Sequence, residues 1–178
     1  MRIISGQWKG KNIVAPKNLP VRPTTDFAKT ALFNILANHF DFEDISVLDL
    51  FCGTGNITYE FASRGTKSIT CIDENLQCVK FVKGTLEKLR FEFVRAIKSD
   101  AFDFVEHCSE QFDIIFADPP YELKETNNLP DLVFEKKLLK ENGWLIIEHQ
   151  SKRRLESKLE PSEIRTYSNC AFSIYKKP

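Results

Sequence analysis

Between residues 47 and 147 the chain alternates short apolar runs with amphipathic stretches, and this rhythm restricts the fold more than any other feature. Residues 47–51, 68–72, 93–97, 112–117 and 144–147 have the length and composition of strands. The stretches between them, at 56–64, 76–89, 101–108 and 129–139, repeat their apolar residues at helical spacing. Strands that alternate with helices form a parallel sheet covered on both faces, so the expected class is α/β. Two further runs, 164–167 and 171–175, are placed to form an antiparallel hairpin through Ser168 and Asn169.

Ahead of this core, residues 2–15 are expected to form a short hairpin, followed by a stiff connector with Pro16, Pro20 and Pro23. Thr24 or Thr25 caps a helix with Asp26 in its first turn. Phe27, Ala28, Ala31, Leu32, Ile35 and Leu36 fall on one face of that helix, which should end near His39. The expected division is an N-terminal extension over 1–23 and a main domain over 24–178.

A chain of 178 residues suits one domain with a sizeable core. Its 42% hydrophobic and 28% charged residues are ordinary for a globular protein. No stretch approaches the roughly 20 apolar residues that span a bilayer, and the N-terminus lacks a signal-peptide core. A cytoplasmic protein without a membrane partner is expected. The five cysteines are scattered, with no CxxC pair and no ligand-spaced histidines, so no metal site is expected and the thiols belong in a core.

Net charge is zero, but it is unevenly spread. Residues 1–30 hold six basic residues and one acid, residues 31–150 hold 12 and 21, and residues 151–178 hold seven and three. Two basic ends on one face suit a phosphate backbone; solvated ends are the plainer alternative.

Four strand ends carry an acid. Asp49 opens the glycine turn DLFCGTG, Asp73 closes the second strand, Asp100 follows the third, and Asp118 opens the signature DPPY after the fourth. Ligands of open α/β sheets bind beyond the carboxyl ends of the strands, so these acids converge on a ligand-binding edge. Gly53 and Gly55 permit close backbone approach, and Asp73 stands where an acid grips ribose hydroxyls. Asp100 with Ala101, and Phe51 with Ile72, suit an adenosine slot. A dinucleotide fingerprint wants a small residue where Thr58 stands. In DPPY, Asp118 and the carbonyls of a loop stiffened by Pro119 and Pro120 accept from an amino group, while Tyr121 offers a face to a flat ring. The two motifs together point to methyl transfer from S-adenosylmethionine to a base nitrogen. The polar loop 122–128 behind DPPY is a candidate lid.

Nearly the whole chain resembles the RsmD family of bacterial 16S rRNA guanine-N2 methyltransferases, within the class I S-adenosylmethionine-dependent methyltransferases. The likeness rests on RIISGQWKGK, then RPTTDFAKTALFN from Arg22 to Asn34, then DLFCGTG and DPPY, in that order. Thr30 stands where the family often has an acid, and Asn56 where Ala or Gly is usual. The resemblance implies a Rossmann-like seven-stranded, mostly parallel sheet with the last strand antiparallel. It implies a cofactor held by Asp49, Gly53, Gly55, Asp73 and Asp100, to which the residue reading adds Phe51 and Ala101. It implies a target guanine addressed by Asp118 and Tyr121, with Pro119 and Pro120 shaping the catalytic loop as read above, and Arg22, Thr24 and Lys29 near the junction of cofactor and RNA. The partner is then 16S rRNA within a 30S subunit or assembly intermediate, and the protein a monomer.

Trp8, Lys9 and Lys11 mix an aromatic with positive charge, which suits RNA; a Trp that pins the hairpin to the core is the equal alternative. Lys152, Arg153 and Arg154 are RNA contacts or a solvated turn, and Glu148 and His149 are read as structural. An adenine-N6 methyltransferase acting on DNA or RNA fits DPPY equally. A nicotinamide-dependent oxidoreductase is opposed by Thr58 and the Pro-Pro signature, and a non-catalytic RNA-binding module by the intact Asp118 and Tyr121.

Overall fold

The computed structural model describes residues 1–16, 19 and 25–178. Its strands are β1 (Ser46–Asp49), β2 (Ser68–Asp73), β3 (Val94–Lys98), β4 (Phe112–Ala117), β5 (Leu139–Gln150), β6 (Glu163–Tyr167) and β7 (Cys170–Lys176). Its α-helices are α1 (Asp26–Ala37), α2 (Asn56–Ser63), α3 (Leu76–Leu89), α4 (Ala101–His107) and α5 (Leu129–Glu135). One sheet holds all seven strands in the order β3-β2-β1-β4-β5-β7-β6. The pairings among β1 to β5 are parallel, and β7 runs antiparallel between β5 and β6. The chain winds outward from β1 through β2 to β3, then returns beside β1 with β4. The switch point thus lies at the carboxyl ends of β1 and β4, where open sheets bind ligands.

Alternation along the strands divides the core. Val47, Ile114, Phe116 and Ile146 face one hydrophobic cluster, which includes Leu32 and Phe33 of α1, Phe61 of α2 and Val82 of α3. Their neighbours Leu48, Ile115, Ala117 and Ile147 face a second, with Val105 of α4 and Val133 of α5. Both faces are covered, which is why these strands are continuous apolar runs rather than alternating ones.

The N-terminal hairpin forms with a single antiparallel bridge, between Arg2 and Asn12. It is fastened to α2. The Glu60 carboxylate accepts from the Ile4 and Ser5 amides at 2.7 and 3.1 Å, and the Ser63 hydroxyl bonds both Ser5 O and Trp8 N. Gly6 (φ 80°) lies so close that a Cβ there would stand 1.8 Å from the Ser63 carbonyl oxygen. Ile3 and Ile13 enter the same cluster as α1, so this module is continuous with the core.

Three local expectations change. The fifth helix ends at Glu135, where Lys137 adopts φ 56° and Leu139 already pairs with Phe112. Strand β5 then bulges at Asn142 and Gly143 before Trp144 pairs with Ile114. The apolar face of α1 is rotated: Ala28, Lys29, Leu32, Phe33 and Leu36 are buried, while Phe27 is 69% exposed.

Candidate active site at the switch point

Beyond the carboxyl ends of the strands lies a cavity of about 870 Å³. Asp49, Asp73, Asp100 and Asp118 all line it, so the strand-end acids converge as their positions imply. Phe51, Gly53, Ala101, Pro119, Pro120 and Tyr121 line it too.

Strand pairing aims the glycine turn. After β1, the Leu50 amide donates to Phe116 O and the Cys52 amide to Ile72 O, both at 2.9 Å, which wedges the chain between β4 and β2. The turn closes with Gly55 N on Cys52 O at 2.7 Å, and α2 starts at Asn56. Gly55 has φ 83°, and a Cβ there would meet the Tyr59 ring at 2.5 Å, so glycine is required.

The carboxylates have distinct jobs. Asp73 Oδ2 accepts from Gly53 N and its Oδ1 from Asn75 N, both at 2.8 Å, which locks the glycine turn onto the end of β2. Asp100 caps α4 through Asp103 N at 2.9 Å. Asp49 is 1% exposed. Its Oδ2 accepts from the Thr58 hydroxyl at 2.6 Å, while Oδ1 makes no hydrogen bond of normal geometry. Burial, helped by the charge of Asp73, pushes its carboxyl up to about 7 against the pull of the Thr58 hydroxyl. Thr58, which argued against a dinucleotide from sequence, is therefore the residue that holds the central acid.

The DPPY loop leaves β4 directly. Asp118 is half-buried, Pro119 buried and Tyr121 exposed. Leu123 N bonds Pro120 O at 2.9 Å, and a short 3-10 turn, Lys124–Asn128, leads into α5. Arg153 ties this loop down. Its guanidinium donates to Tyr121 O, to Leu123 O at 3.3 Å and to Asn127 Oδ1 at 3.4 Å. Sequence had offered Arg153 as an RNA contact or a solvated turn; it is a strap behind the signature. Only its proximity in the fold reveals this.

The proposed RNA-facing residues divide. Lys9 and Lys11 are exposed, and Lys11 lies over the Trp8 ring at 5.8 Å. Trp8 packs against the core cluster, as the pinning alternative had it. Arg22 and Thr24 lie outside the described residues. Lys29 is corrected: it is fully buried, its Nζ donates to Arg2 O at 2.6 Å and to Asn56 Oδ1 at 2.8 Å, and it pairs with Glu60 at 3.7 Å. Lys29 therefore stands one residue behind the cavity, which Asn56 lines. Its burial lowers its pKa even against the attraction of Glu60. Thr30, at the first departure from the family pattern, turns its hydroxyl back to Asp26 O at 2.7 Å. His149 bonds Ser173 Oγ at 2.8 Å within the sheet, a structural role, whereas Glu148 lines the cavity. All five cysteines are free, and all but the half-buried Cys108 are buried. Among the described residues no cluster could hold a metal ion, and no helix is long and apolar enough to cross a membrane.

The chain resembles known proteins in sequence and fold. The profile of the family described as conserved hypothetical protein 95 matches residues 1–176. Bacillus subtilis YlbH, provisionally named an rRNA methyltransferase, is 32% identical over 184 residues covering 99% of each chain. Ribosomal RNA small subunit methyltransferase D of Escherichia coli strain K12 is 34% identical over 148 residues, 82% of this chain and 69% of that one. A solved Escherichia coli structure, provisionally described as the methyltransferase yhhF, aligns with a TM-score of 0.86 at 25% identity, over 99% of this chain and 97% of that one. The chain thus belongs to the conserved hypothetical protein 95 family, that of ribosomal RNA small subunit methyltransferase D.

Proposed function

We propose that this protein transfers a methyl group from S-adenosylmethionine to the exocyclic N2 of a guanine in 16S rRNA. One observation carries the reading: a single cavity joins the glycine turn and its carboxylates to the Asp118–Tyr121 loop. The residues fit the cofactor. Asp49 presents a buried oxygen without a partner of normal geometry, Asp73 keeps acceptor capacity for ribose hydroxyls, and the backbone at Gly53 allows close approach. Phe51, Asp100 and Ala101 offer a slot for a flat heterocycle. The volume lies in the range of small-molecule sites. When bound, the cofactor supplies an electrophilic methyl on a sulfonium.

The protein's own contribution is positioning. A guanine amine delocalises its lone pair into the ring and is a weak nucleophile. Hydrogen bonds from that amine to the Asp118 carboxylate and the Pro119 carbonyl favour a pyramidal nitrogen aimed at the methyl. As the new N–C bond would form and the methyl–sulfur bond break, leaving a neutral thioether, the same acceptors stabilise positive charge on nitrogen, and the displaced proton leaves along the bond to Asp118. Tyr121 stacks the base, which must be unpaired or flipped to expose its amine. Arg153 holds the Tyr121 carbonyl and so keeps the loop in place. The substrate in this reading is 16S rRNA within a 30S subunit or assembly intermediate, met by a monomer in the bacterial cytoplasm.

The test is transfer of radiolabelled methyl from S-adenosylmethionine to small subunits from an unmethylated strain, followed by nucleoside analysis. Label in N2-methylguanosine, lost in Asp118→Ala, is expected. Label in N6-methyladenosine would replace the base and keep the mechanism. No transfer to subunits or to free RNA would overturn the reading.

A further inference from the structure

We infer that Phe27 and Tyr167 form a stacking subsite for a second unpaired base, the one flanking the target guanine in the RNA. The inference rests on the function proposed above and adds a site to it.

Phe27 is out of place by packing rules. Helix α1 buries Ala28, Lys29, Leu32, Phe33 and Leu36, and Phe27 does not share that face. Only three aromatic residues are strongly exposed among the described residues: Phe27, Phe93 and Tyr121. Two of these three, Phe27 and Tyr121, line the cavity, so the exposure is concentrated at the site. Phe27 meets the ring of Tyr167 edge-on, with centroids 6.1 Å apart and planes at 77°. Tyr167 in turn rests against Phe172, which is fully buried in the sheet, at 5.8 Å. The pair is thus anchored from behind by the core while Phe27 stays open to solvent.

Its surroundings suit a nucleotide. Tyr167, Ser168 and Asn169, at the turn between β6 and β7, line the cavity with Lys152. Exposed Arg2 pairs with Asp26, beside Phe27 in the chain, at 3.4 Å. An aromatic surface flanked by hydrogen-bonding groups and positive charge is the general form of a single-strand stacking station. Such a station is needed here. Extruding a base for reaction at its amine breaks its stacking on the neighbouring base, which then loses a partner. Tyr121 serves the target, and the Phe27–Tyr167 pair receives the neighbour. Every base has a flat face, so the subsite tolerates sequence.

The experiment compares wild type, Phe27→Leu and Phe27→Trp in methyl transfer to unmethylated small subunits. Cofactor affinity by calorimetry and melting temperature are read in parallel. Leucine keeps the apolar bulk and removes the ring. The expected result is a KM for subunits raised roughly tenfold in Phe27→Leu, the scale of one lost base stack. Phe27→Trp should match wild type, cofactor affinity should not change in either variant, and the melting temperature of Phe27→Leu should fall by no more than the loss of one edge-on ring contact. A wild-type KM in Phe27→Leu overturns the inference while leaving the proposed function intact. A parallel loss of cofactor affinity, or a fall in melting temperature beyond that of one ring contact, also overturns it, since Phe27 would then serve the cofactor or packing. A wild type that transfers no methyl to subunits or to free RNA removes both the function and the subsite.

Discussion

Asp49 is 1% exposed and gripped by Thr58, whereas Asp118 sits half-buried on a loop that Arg153 straps from behind. The two ends of the cavity are built on different principles. At the glycine-turn end, β1, β2 and β4 clamp the chain through ladder bonds, and Asp73 and Thr58 fix what the strands leave free. At the DPPY end, one strand delivers the loop, and the surrounding surface carries exposed Tyr121 and Phe27. A small cofactor can be enclosed by a rigid cradle. A base attached to a large RNA must enter from outside, so its half of the site has to stay open. Changes at the closed end should therefore alter stability and cofactor affinity, while changes at the open end should lower transfer alone.

The largest effect should come from the anchor beneath the closed end. Glu60 is fully buried and accepts from Ile4 N, Ser5 N and Arg64 Nε while pairing with Lys29. Glu60→Ala strands the Lys29 charge and is expected to lower stability by about 3–5 kcal/mol in denaturant unfolding. Because burial already lowers the Lys29 pKa, the loss should shrink as pH rises. A loss under about 1 kcal/mol would show that the module is not anchored through this carboxylate.

Asp49 gives the second effect, with a definite sign. Its carboxyl is raised from 3.8 to about 7 in the folded protein. Between these values the folded state holds a proton that the unfolded state has released, so stability falls as pH rises through this window. Asp49→Asn removes that penalty. In the absence of cofactor the variant should melt above wild type at pH 8, by up to about 4 kcal/mol from the shift, and gain little at pH 4. It should also bind S-adenosylmethionine far more weakly. An unchanged melting difference from pH 4 to pH 8 would contradict the raised carboxyl.

The smallest effect sharpens the contrast at the open end. Arg153→Ala frees the carbonyls of Tyr121 and Leu123, so single-turnover transfer should drop roughly tenfold, with cofactor affinity kept. The salt dependence of RNA binding should not change, because the guanidinium is spent on the loop. A shallower salt slope would make Arg153 an RNA contact instead.

Much of this arrangement was legible from residue pattern. The bounds of α3 and β4 follow directly from periodicity, and the acids that line the cavity follow from their places at strand ends. The misses share one cause, which is that tertiary neighbours are invisible to spacing. Leu138 and Leu139 continue the helical spacing of α5, yet a lysine in the left-handed region ends the helix without a glycine to announce it. The family resemblance puts Lys29 near the junction of cofactor and RNA, but the buried face of α1 runs through it because Glu60 and Asn56 wait on α2. Thr58 and Arg153 work through partners 9 and at most 32 residues away in sequence, and no local signal marks either.

The central claim is that one cavity has separable cofactor and base ends. Cofactor affinity by calorimetry, set beside single-turnover methyl transfer, tests it most directly in Asp118→Asn. Affinity should stay within about twofold of wild type while transfer falls about a hundredfold or more. If affinity and transfer fall together, Asp118 belongs to the cofactor cradle and the division of the cavity is wrong.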